Sequence, residues 1–172
     1  GIFQIGRNGG SLSRIANTGS RCNGGHDYYA GGGRIVFSHW MADGSYKLHT
    51  VPVTGSAMPV PINPYLPVAV GTQDMFETLP AVSFAGDMLA SAVRYPGLVG
   101  IRMRAMGTDG NWGPPFTMKL PVAYITGVSF SDRDEKVYFS ALPQPGQPQA
   151  LYDVSIKELL PTIMGLLTLP PG

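Results

Sequence analysis

Val82-Ser83-Phe84-Ala85-Gly86-Asp87 and Val128-Ser129-Phe130-Ser131-Asp132-Arg133 carry the same Val-Ser-Phe triplet 46 residues apart. Each triplet leads into a turn and then a short strand closing on serine, Met88-Leu89-Ala90-Ser91 and Val137-Tyr138-Phe139-Ser140. The stretch from Asp27 to Ser38 has the same layout, with Tyr29 in the phenylalanine place and Ser38 as the closing serine. After each serine come a variable loop and an alternating strand, starting near Tyr46, Gly100 and Ala150. A turn follows, and then a fourth, irregular strand over 58–62, 115–118 and 162–164. Four short antiparallel strands in roughly 40–50 residues make one blade of a β-propeller. A lone four-stranded sheet buries neither face; stacking such sheets around an axis covers both and leaves only short edges.

The composition agrees. Among 172 residues are 23 glycines and 16 prolines, and charged residues are only 13%. That much turn chemistry excludes a helical bundle, and 44% hydrophobic residues exclude a disordered tail. Asp43-Gly44 before Tyr46 and Asp109-Gly110 after Ala105 are hairpin signals. Helix signals are weak: 155–164 allows one or two turns before Pro161 interrupts them. The proline-rich stretch over 57–80 predicts an extended connection or an edge strand.

The segments Ile35-Val36-Phe37-Ser38, Ala42-Asp43-Gly44-Ser45-Tyr46-Lys47-Leu48 and Val51-Pro52-Val53-Thr54-Gly55 resemble the TolB-like, WD-repeat-like propeller repeat. The resemblance spans about residues 26–164 and implies an all-β fold. The expected architecture is a partial β-propeller of about three four-stranded antiparallel blades, over 26–64, 80–120 and 126–165. Residues 1–19 would supply the outer strands of a preceding blade. Propellers have about 4–8 blades, so the chain is expected to be part of a larger ring. Other protein segments or subunits would complete it. The start at Gly1-Ile2-Phe3-Gln4, without methionine, reads as a piece of a longer chain.

Function is less legible. A net charge of +1 gives no electrostatic case for nucleic acid. Arg102 and Arg104 alternate along one strand and are expected to form a solvated face. Cys22 is the single cysteine, so no internal disulfide forms; a buried or inert thiol is expected, with a bridge to another chain as the alternative. No apolar run reaches the length of a membrane span. His26, His39 and His49 show no metal-ligand spacing. No Gly-x-Ser-x-Gly elbow occurs, and the glycine-rich stretches over 6–10 and 31–33 read as hairpin turns rather than phosphate cradles. No catalytic residue, metal or cofactor is therefore expected.

His26-Asp27 precedes an inner strand, where propeller funnels open. The expected binding residues are His26, Asp27, His39 and Arg94. The charge run Asp132-Arg133-Asp134-Glu135 is expected in a solvated turn. Trp40, Tyr65, Tyr95 and Trp112 fall in loops, where inter-blade packing is the expected role; stacking on carbohydrate is the alternative. The leading functional expectation is a non-catalytic scaffold or interaction segment of a larger periplasmic or extracellular protein. The alternatives are the propeller portion of a periplasmic oxidoreductase or peptidase whose active site lies elsewhere, and an oligomeric lectin.

Overall fold

Alternating and β-branched segments become strands, and the glycine-bearing dipeptides between them become turns. The computed structural model describes residues 2–4, 13–16, 23–29, 33–54, 58–62 and 76–159. Cys22, Tyr65, the glycine-rich stretch over 6–10 and the expected strand over 162–164 lie outside them.

The first blade runs β3 (Asn23–Tyr28), β4 (Arg34–Trp40), β5 (Tyr46–Pro52) and β6 (Val60–Pro61), antiparallel in that order. The second runs β7 (Phe76–Val82), β8 (Met88–Tyr95), β9 (Leu98–Ala105) and β10 (Phe116–Lys119). The third runs β11 (Tyr124–Phe130), β12 (Lys136–Leu142) and β13 (Ala150–Ser155), ahead of a helical turn over 156–159. A hairpin of β1 (Ile2–Gln4) and β2 (Ser13–Ala16) flanks the first blade. The inner strands begin at Asn23, Phe76 and Tyr124, a few residues upstream of the expected blade starts.

The repeat is real, but its register differs from that of the Val-Ser-Phe triplets. Tyr29, Ser83 and Ser131 each donate a backbone N–H to the carbonyl of Arg34, Met88 and Lys136, closing equivalent inner hairpins. Ser83 therefore matches Ser131, 48 residues on, and Phe84 falls in a turn, 84% exposed, while Phe130 stays in a strand. The serine is what repeats physically. Ser83 Oγ accepts from Met88 N at 2.9 Å, and Ser131 Oγ accepts from Glu135 N and Lys136 N at 3.0 and 3.2 Å. A serine hydroxyl folds such a turn back on itself. Gly86 and Asp134 occupy the same turn position with φ of 79° and 54°.

Three clusters cement the stack. Ile15 from β2 packs with Ile35, Phe37 and Val51. Val36, Leu48 and Ile62 of the first blade meet Val82, Leu89 and Trp112 of the second. Met88, Ala90, Ala92, Ile101 and Met103 of the second meet Ile125, Val137, Phe139 and Ala141 of the third. Each fully buried aliphatic side chain contributes about 1.5–3 kcal/mol. Trp112 serves inter-blade packing as expected: it is buried, and its Nε1 donates to Tyr29 Oη at 2.6 Å.

Candidate functional site

The inner strands β3, β7 and β11 run side by side, so their starts gather at one end of the blade stack and their closing turns at the other. At the starting end, aromatic rings follow one another across the blades. Trp40, at the end of β4, lies 5.2 Å from Tyr46, which opens β5. Tyr46 lies 5.9 Å from Phe76, which opens β7. The Arg94 guanidinium, near the end of β8, sits 4.8 Å from the Phe76 ring centre and 5.3 Å from that of Tyr124, the first residue of β11. Trp40 and Tyr124 are 40% and 49% exposed.

Tyr46, Phe76, Arg94 and Tyr124 border a cleft of about 480 Å³, whose walls include Leu79, Val99, Ile125, Thr78 and Thr126. Leu79 adopts a left-handed φ of 54° within the register shift between Thr78 and Ala81. Such a bulge re-aims side chains and occurs next to binding sites. Pro80, which has no N–H for the ladder, is accommodated in the same irregularity.

The four expected binding residues do not come together. Arg94 borders this cleft. His26 and Asp27 lie at the opposite end, beside Phe84 and Phe130 in a separate concavity of about 480 Å³. His26 is exposed, with its ring edge-on to Tyr28 at 6.5 Å. Asp27 joins blades: its Oδ2 accepts from Val82 N at 2.7 Å and its Oδ1 from Tyr28 N at 2.8 Å. His39 shares a strand face with Ile35 and Phe37, turned toward β2, and lies 4.9 Å from His49. His49 is buried; burial foremost, helped by the His39 and Lys47 charges, holds its imidazole below the usual value and outweighs the Lys47 carbonyl.

The third blade docks its hairpin turn on the second. Asp134 accepts from Phe84 N at 2.7 Å and from Ala85 N at 2.9 Å. The run 132–135 is thus a turn, as expected, but Asp134 is half-buried and bonded rather than simply solvated.

The solvated-face expectation for Arg102 and Arg104 is overturned. Arg104 is 0% exposed and Arg102 7%. Their strand face is covered by the first blade, so the guanidiniums need a counter-charge. Glu77 on β7 supplies it. Its carboxylate pairs with Arg104 Nη1 at 2.5 Å and Nη2 at 3.2 Å, and with Arg102 Nη1 at 3.2 Å. Ser91 Oγ donates to Glu77 Oε1 at 2.8 Å, and Arg102 Nε donates to Thr117 Oγ1 at 3.0 Å. Burial alone pushes the Glu77 carboxyl up, but the two guanidiniums and Ser91 more than reverse this and hold it below the usual range. Sequence reasoning missed Glu77. The available signal was a lone carboxylate inside the otherwise apolar or small strand Phe76-Glu77-Thr78-Leu79-Pro80-Ala81-Val82.

Among the described residues, no group of three or more His, Cys, Asp or Glu side chains could hold a metal ion. The Glu77 cluster is interior and structural: every charge in it is paired, although Arg104 Nε is buried without a hydrogen-bond partner. It is the aromatic cleft that offers an exposed cation beside open apolar walls.

No family model and no curated protein matches the sequence. Among solved structures, a candidate TolB protein from Agrobacterium tumefaciens matches with a TM-score of 0.59 at 15% identity. The match covers 77% of this chain and 42% of that one. The fold is a TolB-like β-propeller. The chain spans less than half the length of this TolB-like relative, and at this identity the likeness concerns the fold alone. No helix among the described residues is long and apolar enough to cross a membrane.

Proposed function

We propose that these blades form a non-catalytic scaffold or interaction segment of a larger, extracytoplasmic protein, in which a further blade stacks on β12 and β13. The open face of the third blade carries this reading. Its equivalents on the earlier blades, Val36 and Leu48 on the first and Ala90 and Met103 on the second, are buried against the next blade. On the third, Leu151 is 72% exposed and Tyr138 36%, beside the Lys136–Asp153 ion pair at 2.8 Å. A sheet face with this mix suits a more polar neighbour of the same four-stranded kind. The greater length of the TolB-like relative supports additional blades, and the likeness to TolB is what supports the extracytoplasmic setting.

Hydroxyl-radical footprinting of the protein purified from its source tests the reading. Protection of Leu151 and Tyr138 is the expected result, with the protection at Tyr138 lost when Leu151 is replaced by Asp. Full solvent reactivity at both residues in the native protein would overturn it.

A further inference from the structure

From the cleft bordered by Arg94, Phe76 and Tyr124, we infer that it binds a small monocarboxylate carried on an apolar body, with the carboxylate on the Arg94 guanidinium. Among the described residues, Arg94 is the one charged residue lining the cleft. It is exposed, and its ring contacts provide no acceptor for its five N–H donors. A planar guanidinium packed against two aromatic rings is oriented in advance for a two-pronged bond to a carboxylate. The walls beyond it are apolar, from Leu79, Val99 and Ile125. Its volume of about 480 Å³ lies within the small-ligand range.

The same lining discriminates among ligand classes. Among the described residues it contains no carboxylate or amide side chain, so a hydroxyl-rich sugar would leave most of its polar groups unpaired. Its described residues include a single cation, a poor match for a phosphate dianion. One positive charge bordering an apolar cavity suits one carboxylate and a compact hydrocarbon.

The built character of the site is independent of Arg94. Leu79 takes its left-handed conformation on the cleft wall, where a leucine side chain is strained. Gly25 leaves room for it: a Cβ there would lie 3.3 Å from Leu79 Cα.

Calorimetric titration with 3-phenylpropionate tests the inference, with its neutral amide, phenyl phosphate, methyl glucoside and a Phe-Asp dipeptide amide as controls. The acid is expected to bind the full chain at least about tenfold more tightly than the amide, the margin of a charge-assisted hydrogen bond. Arg94→Gln should reduce the acid to the affinity of the amide, and Arg94→Lys should restore only part of the difference, with unfolding midpoints unchanged. Equal binding of acid and amide, acid binding that survives Arg94→Gln, or no acid binding at millimolar concentration would each overturn the proposal. Tighter binding of the glucoside, the phosphate or the dipeptide than of the free acid would overturn it too, in favour of that class. The outcome is independent of whether a further blade covers β12 and β13.

Discussion

Glu77 shows how a single side chain ties together three strands of one blade, β7, β8 and β9. Its carboxylate accepts from Arg102, Arg104 and Ser91 in the interior of the blade. Removing the charge leaves two buried guanidiniums without a counter-ion, so Glu77→Gln is expected to lower stability by about 3–5 kcal/mol in urea titrations near neutral pH. The same carboxyl sets an acid limit. Because folding holds it below its ordinary 4.5, its stabilisation is complete above that value and is lost as pH falls through the folded value. The native chain should therefore lose stability below about pH 4.5, and the gap between it and the Gln variant should narrow there. A gap that is constant from pH 7 to pH 3 would remove the buried pair as its cause. Nothing local identifies Arg102 and Arg104 as interior residues. Their alternation with Ile101 and Met103 is the pattern of an ordinary half-exposed strand, and only a covering blade makes it a buried one.

At the scale of elements, turns are the legible parts and contacts between turns are not. Ser83 and Ser131 fold their hairpins with bonds that span only four or five residues, and so recur as sequence similarity. The Val-Ser-Phe triplets misplace the register of that similarity because Phe84 and Phe130 look alike but do different work, one exposed in a turn and one in a strand. The Asp134 carboxylate reaches the backbone of a turn 50 residues earlier, a contact that no short motif encodes. Asp134 also carries a φ of 54°, so Asp134→Gly removes the staple while relieving the backbone. That variant should exchange the Phe84 and Ala85 amides at least about tenfold faster, equivalent to about 1.4 kcal/mol for the lost charge-assisted bonds. Unchanged exchange at both amides would show that the third blade docks without this contact.

Across the whole molecule, the low charge content and the abundance of turn residues have a common origin. Sheets stacked face to face leave few solvated positions, and each blade needs several tight reversals. The second blade is covered on both faces, by Val36 and Leu48 on one side and by Val137 and Phe139 on the other. In the isolated chain its β8 and β9 amides should be the slowest to exchange under native conditions, and those of β13 among the fastest of the strand amides. Slowest exchange in the third blade would contradict this order of burial. Taken alone, the sequence determined the all-β class, the blade repeat and most strand positions, because alternation and turn conformation depend on neighbours a few residues away. It left open which faces are buried, which charges are paired and which aromatic rings line one end. Those were decided by tertiary structure, because they depend on partners distant along the chain: Trp112 meets Tyr29 across 83 residues, and Arg104 meets Glu77 across 27.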